Sequence, residues 1–252
     1  MHPEGNTVFI PGATSGIGLA FALELSARGN TVIIGGRRAA PLRALARQHP
    51  ELDTVRIDTT KPASIRVAAE TVLANHPDLN VLITMAGIIR AEDWHRPESF
   101  LSSAEAVLKT NVLGMVRLIA AFVEHLQTRP NATIMTVSSG LAFAPHRATP
   151  SYNASKAAVH LLTESLRLQL EDTSVEVLEL QPPAVQTDVT GPPIEGCQPL
   201  GEFVSEVMHL IQTRPDATEI QPEGVKFLRH CEARGEYGQV VKLLNATPLS
   251  LP

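Results

Sequence analysis

Short unbroken apolar runs alternate along this chain with longer segments of helical period. The first run, TVFIP (7–11), stops at Pro11-Gly12. A turn of small residues and a helix over 16–28 follow, and Gly29-Asn30 ends that helix. TVIIGG (31–36) is apolar up to its glycines, the pattern of a parallel strand covered on both faces. A helix over 39–49 carries Pro41 in its first turn and closes before Pro50. LDTVRID (52–58) predicts a third strand, 62–75 a third helix and NVLITMAG (80–87) a fourth strand. IIRAEDWHRPESF is irregular, and Ser99 or Ser102 caps a long helix through LKTNVLGMVRLIAAFVEHL. ATIMTVSS (132–139) is strand five, YNASKAAVHLLTESLRLQLE a helix and SVEVLELQP (174–182) strand six. The Pro- and Gly-rich stretch that follows reads as a lid near 186–200. After it come the helix FVSEVMHLIQT, a last strand near 218–221 and two short helical patterns. Strands alternating with helices at this spacing predict right-handed βαβ units. The fold class is α/β: one doubly wound domain over 1–252, with about seven parallel strands and helices on both faces.

Composition narrows the function. The 252 residues carry a formal net charge of −5 and no basic block, which disfavours a nucleic-acid surface. The two cysteines, Cys197 and Cys231, are far apart, which suits a reducing cytosol and no disulfide or zinc framework. The N-terminus shows no signal-peptide pattern, and no run reaches the ~18 consecutive apolar residues of a membrane span. A cytoplasmic location is expected. The nine histidines lack metal-site spacing, so no metal is expected.

Two stretches carry candidate chemistry. The first turn, PGATSGIG, has the spacing G-x-x-x-G-x-G between a strand and a helix. Such a turn aims backbone N–H groups and a helix N-terminus at one point, where an anionic phosphate is favoured. The second is Tyr152-Asn-Ala-Ser-Lys156, at the start of the helix after strand five. Positions i and i+4 share a helical face. A lysine ammonium beside the phenol would lower its pKa and make Tyr152 a general acid or base near neutral pH. Ser139 ends strand five, on the same carboxyl edge of the sheet as the glycine turn, where open α/β sheets bind ligands. Ser138 is the structural neighbour. VSSGL lacks the G-x-S-x-G elbow of a serine hydrolase.

In order along the chain, these elements resemble the short-chain dehydrogenase/reductase family. Gly12, Gly16 and Gly18, with Thr14, Ser15 and Ile17 between and beside them, match its glycine turn. Asp58 matches the acidic residue after strand three, and Ala86-Gly87 the end of its N-N-A-G element. Asn111 in KTNVLG, Ser139 in TVSS, Tyr152 and Lys156 match its catalytic four. QPPAVQT, with Pro182, Val185 and Thr187, matches its P-G-x-V-x-T element.

The resemblance implies a Rossmann-type NAD(P)-binding oxidoreductase that moves a hydride between the nicotinamide and a small-molecule carbonyl or alcohol. Ser139 would bond the reacting oxygen, Tyr152 would pass the proton, and Lys156 would bind the nicotinamide ribose. Asn111 would hold a water linking Lys156 to solvent, and the Asp58 carboxylate would accept from the adenine amino group. A homodimer or homotetramer is implied, through the helices containing Asn111 and Tyr152. Their faces bear Leu113, Val116, Ile119 and Ala120, and Ala157, Leu161 and Leu168. A nucleotide-binding regulatory relative without turnover is the competing reading; the intact catalytic set favours the enzyme.

Where NAD-selective members carry an acid at the end of strand two, this chain has Gly36 followed by Arg37 and Arg38. A guanidinium suits a 2′-phosphate, so NADP(H) is expected over NAD(H), with Arg37 the main contact. The neutral Ser15 stands where NADP-dependent members are often basic. Pro11, Thr84-Met85 and Pro183 depart from the family pattern. ELQPPAVQTDVTG and TEIQPEGVKFLR are similar to the DltE-like branch. Arg90, Trp94, His146 and Arg147 are expected to border the substrate pocket.

Overall fold

The computed structural model describes residues 1–187 and 196–246. Strands β1 (Thr7–Pro11), β2 (Thr31–Gly36), β3 (Leu52–Arg56), β4 (Val81–Thr84), β5 (Ala132–Val137) and β6 (Val175–Leu180) alternate with helices. The helices are α1 (Gly16–Ala27), α2 (Ala39–Gln48), α3 (Pro62–Asn75), α4 (Pro97–Leu108), α5 (Gly114–Gln127) and α6 (Pro150–Gln169). Val185–Gln186 (β7) pairs with Gln198–Pro199 (β8), α7 spans Leu200–Thr213, and β9 (Glu219–Ile220) precedes α8 (Glu223–Arg229) and α9 (Tyr237–Leu244). The main sheet has seven strands in the order β3-β2-β1-β4-β5-β6-β9, all parallel. This is the doubly wound Rossmann-type sheet the alternation predicts. Its strand order reverses between β1 and β4, which opens a crevice at their carboxyl ends.

The apolar runs are apolar because both faces of the sheet are covered. On one face Val8, Ile10 and Ile34 pack with Phe21 and Leu25 of α1 and Phe203 and Val207 of α7. On the other, Phe9, Leu82 and Ile134 pack with Ile65 and Val72 of α3 and Leu118, Phe122 and Leu126 of α5. Burying such side chains stabilises the fold by roughly 1.5–3 kcal/mol each. The edge strand β3, covered least, keeps the exposed Asp53, Thr54 and Arg56.

The long helix departs from expectation. It begins at Pro97, with Arg96 at the cap position, while the Ser99 hydroxyl donates to the carbonyls of Asp93 and Arg96 inside the first turn. Proline at the first position needs no N–H partner and outcompetes the serines as a start signal. A π-helical segment, Lys109–Leu113, then separates α4 from α5. By length and composition the run Pro97–Gln127 could cross a bilayer, but its Leu118, Phe122 and Leu126 are core residues against the sheet. The lid expected near 186–200 falls largely on 188–195, outside the described residues; its flanks form the β7–β8 pair.

Pro11 has a backbone explanation. The β1–β4 pairing stops at Phe9–Leu82, and the Gly12 N–H bonds Gly35 O on the β2 side at 2.8 Å. Alternation puts the Pro11 nitrogen on the β4 side, past the end of that ladder. No ladder bond is lost, which is where a strand accepts proline. At Thr84, another departure, the buried hydroxyl donates to Met135 O of β5, at 3.4 Å.

Candidate active site

A cleft of about 600 Å³ runs across the carboxyl ends of β1, β4 and β5. At one end its wall is backbone. Gly12 has φ +97, and a Cβ there would lie 2.5 Å from Ala86 Cα, so β1 and β4 converge only because Gly12 has no side chain. Gly16, at φ +56, opens α1 in a conformation other residues rarely adopt. Ser15 stands at the α1 cap position but makes no side-chain capping bond, so the first N–H groups of the helix remain available to a ligand. Gly12, Thr14, Ser15, Gly16, Ile17 and Gly18 all face the cleft, as do Ala86 and Gly87, and Pro182, Val185 and Thr187. Arg37 and Arg38, both exposed, reach it from the end of β2.

The other end is built from side chains. Ser139 leaves β5 as the cap of a short turn, its Oγ accepting from Leu141 N at 3.2 Å. Tyr152 and Lys156 lie one turn apart on α6, and both face the cleft together with Ser139. Glu92 fixes the start of that helix, accepting from Ser151 N, Trp94 Nε1 and Ser103 Oγ. Burial pulls the Glu92 carboxyl up, but these bonds outweigh it and leave the group below its ordinary range.

The Tyr152–Lys156 electrostatics differ from expectation. Lys156 is buried; its Nζ donates to Val137 O at 2.7 Å and stands 5.5 Å from the centre of the Tyr152 ring. Tyr152 keeps some surface towards the cleft, yet desolvation pushes its phenol up to about 12, beyond what the Ser139 bond draws back. Desolvation brings Lys156 down to about 8, against the field of Glu179. Both groups sit in a dry site that favours their neutral forms, and the spacing of two residues on a helix does not reveal that term.

Asn111 lies in the π-helical segment, buried behind the cleft wall rather than on it. Its Oδ1 accepts from Ile88 N at 2.8 Å, and its Nδ2 donates to Ile88 O and Ser155 Oγ, both at 2.9 Å. Its amide is thus spent on pinning the strand extension after β4 to α6. Asp58 also differs. It stands between the wall residues Ile57 and Thr59, and its Oδ1 is turned onto Thr60 N and Oγ1, at 3.0 and 2.7 Å. Burial raises the Asp58 carboxyl, and the Thr60 bonds with the charges of Lys61 and Arg37 bring it below its ordinary value.

Of the residues expected to border the substrate, His146 does so, while Arg90, Trp94 and Arg147 lie off the wall. Trp94 stacks on Phe100 instead, 4.5 Å between ring centres. The wall gains Leu141, Leu228 and Leu244, the last two from α8 and α9, which no local motif marks. Ser138, read as structural, is buried and donates to Glu179, a partner no motif signalled.

A family model described as short chain dehydrogenase matches residues 6–196. An uncharacterised oxidoreductase of Bacillus subtilis (strain 168), DltE, is 41% identical over 189 residues, 74% of each chain. The 1-deoxy-11-beta-hydroxypentalenate dehydrogenase of Streptomyces avermitilis is 32% identical over 75% of this chain and 72% of its own. Among solved structures, a short chain dehydrogenase from Burkholderia cenocepacia J2315 in complex with NADP superposes with a TM-score of 0.79. It is 26% identical and covers 98% of this chain and 100% of its own. The chain belongs to the short chain dehydrogenase family, in its DltE-like branch, and is an oxidoreductase.

Proposed function

We propose that this oxidoreductase is specific for NADP(H) and reduces a carbonyl, or oxidises the matching alcohol, through Ser139, Tyr152 and Lys156, with Asn111 holding the site together. The observation that carries the reading is that Ser139, Tyr152 and Lys156 line one cleft with the glycine turn, at the carboxyl edge of the sheet. The cleft suits a dinucleotide: the Gly12 convergence and the uncapped α1 N-terminus fit a pyrophosphate, and Arg37 and Arg38 fit a 2′-phosphate. The complex of the Burkholderia relative with NADP supports the same choice. The nicotinamide supplies or accepts the hydride when bound.

Ser139 Oγ donates to the reacting oxygen and steadies the charge that develops there. Tyr152 Oη delivers its proton to that oxygen in reduction. A phenol held at about 12 is protonated at neutral pH and can serve as the acid in reduction. The Lys156 ammonium binds the ribose hydroxyls and stabilises the phenolate left behind. Asn111 keeps Ile88 and Ser155 in place, and with them the wall on which the substrate rests.

The substrate end favours an uncharged, apolar molecule. Its wall offers Ile88, Leu141, Leu228 and Leu244, with the Cys197 thiol pushed up by burial. Among the described residues, the lysine and arginine side chains on the cleft are Lys156 and, at the far end, Arg37 and Arg38. The sequences outside the described residues, DVTGPPIE and TPLSLP, contain no lysine or arginine. The chain acts as one NAD(P)-binding domain and assembles as a homo-oligomer through the outer faces of α5 and α6, where Leu161 and Leu168 are 64% and 70% exposed.

The decisive experiment follows nicotinamide absorbance with NADPH or NADH against neutral and anionic ketones, for the parent and Tyr152→Phe. NADPH-dependent turnover of neutral apolar ketones, lost in the variant, is expected. Cofactor binding without turnover of any ketone would sink the enzymatic reading, and NADH preference the cofactor choice.

A further inference from the structure

Glu179 is a fully buried carboxylate that the chemistry above does not use. It stands on β6 in register with Thr136 of β5, and both side chains point to α6, where Thr136 bonds Thr163 at 2.7 Å. One Glu179 oxygen accepts from Ser138 Oγ, the residue before Ser139. The other meets His160 Nδ1 at 2.8 Å. His160 is one turn beyond Lys156 on α6, so Tyr152, Lys156 and His160 form a stripe at i, i+4 and i+8. The carboxylate therefore sits behind the catalytic face and touches both elements that build it, the end of β5 and the start of α6.

Burying a lone carboxylate costs several kcal/mol unless compensating charge is close. Around Glu179 that charge comes from α6. Lys156, whose Nζ is held at Val137 O beside the Ser138 that bonds Glu179, lies within its field, and His160, raised by its bond to Glu179, shares it. The outer side of His160 meets Glu164 at 3.7 Å, with Glu219 of β9 close by. Arg229 of α8 already pairs with Glu219 at 3.1 Å and stacks on Phe143, against which His160 also packs. The outer charges thus pair among themselves, and Glu179 is the buried anion bonded to Ser138, next in the chain to the Val137 carbonyl that holds the Lys156 ammonium.

We propose that Glu179 is a positioning residue for the reaction. It ties the Ser138–Ser139 corner to α6 and supplies the counter-charge that keeps the buried Lys156 ammonium protonated. The assignment rests on the catalytic role proposed for Lys156. Titration of Lys156 itself, however, can be read without turnover.

The test compares Glu179→Gln, which keeps the shape and loses the charge, with the parent. Two readouts are taken: the pH profile of NADPH-dependent kcat/KM, and the pH titration of Lys156 Nζ by nitrogen NMR in the cofactor-free protein. In the variant both the alkaline limb and the Lys156 midpoint move to lower pH, by about one unit, while NADPH affinity at pH 6.5 stays within about twofold. A Lys156 midpoint that coincides in the two proteins overturns the proposal, even where the rate falls, since a merely structural role lowers the rate at every pH alike. If no ketone is turned over by the parent, the proposed function fails, and the NMR midpoints still decide this assignment. Should Glu179→Gln not fold, His160→Gln serves, because it retains the Glu179 charge. A Lys156 midpoint that rises, because one cation fewer shares the Glu179 charge, supports the proposal, and one that holds or falls overturns it.

Discussion

The two ends of the cleft are built on opposite principles. At the β1–α1 turn the site exists because side chains are missing. Gly12 lets β1 approach Ala86, Gly16 turns the chain at positive φ, and Ser15 leaves the helix N–H groups free. At the β5–α6 end the site exists because side chains are present, buried and tied together. Ser139 and Tyr152 share the cleft wall, Lys156 is held to Val137 O, and Ser138 and His160 converge on Glu179. The first kind of site tolerates an odd residue if the backbone path is kept, as Pro11 shows. The second kind depends on protonation, which is set by burial and by charges from distant parts of the chain.

That contrast can be broken first at the side-chain end. Tyr152→Phe removes the proton donor and leaves the packing, so kcat falls by about 10³-fold while the melting temperature and NADPH affinity hold. Titration calorimetry beside the rate assay checks both halves of that expectation. At the backbone end, Gly12→Ala sets a methyl 2.5 Å from Ala86 Cα at φ +97. A cost of about 2–5 kcal/mol follows from strain and overlap. The variant should melt several degrees lower and lose NADPH binding by about 100-fold; unchanged affinity would show that the convergence of β1 and β4 does not matter.

Smaller effects sharpen the comparison. Arg37→Ala should weaken NADPH about tenfold and leave NADH unaltered, because a charge-assisted bond to phosphate contributes about 1.5–3 kcal/mol. The pH response belongs to the other end. Tyr152, held at about 12, remains a neutral acid across the working range, whereas Lys156, lowered to about 8, loses its charge as pH rises through that value. Reductive kcat/KM should therefore be level below pH 8 and fall about tenfold for each unit above it. A profile still flat at pH 10 would rule out a required Lys156 cation titrating near 8. Least affected is Pro11→Thr, for which thermal unfolding should show a change under ~0.5 kcal/mol, since the Pro11 nitrogen lies beyond the β1–β4 ladder.

Much of this was legible before the fold. The bounds 7–11, 31–36 and 62–75 coincide with β1, β2 and α3, because a run between strong stop signals has little freedom. The long helix was legible in extent but not in detail. Pro97 took the start from Ser99 and Ser102, and the π-helical segment holding Asn111 has no marker of its own. In the site, local motifs placed most of the cofactor wall but did not signal the bonds of Asn111 to Ile88 and Ser155 or of Asp58 to Thr60. Arg90, Trp94 and Arg147 lie near the site in sequence, yet the wall recruits Leu228 and Leu244 from the far end of the chain.

By itself, the sequence determined the alternation of strands and helices, the glycine turn and the order of the Ser139, Tyr152 and Lys156 positions. These follow from period, backbone freedom and spacing, which are local properties. Only the tertiary structure decided that the Tyr152 phenol is pushed up rather than down, that the Asn111 amide is spent on Ile88 and Ser155, and that Glu179 faces Ser138 and His160. Each depends on which groups are desolvated together, and burial is a property of the packed chain.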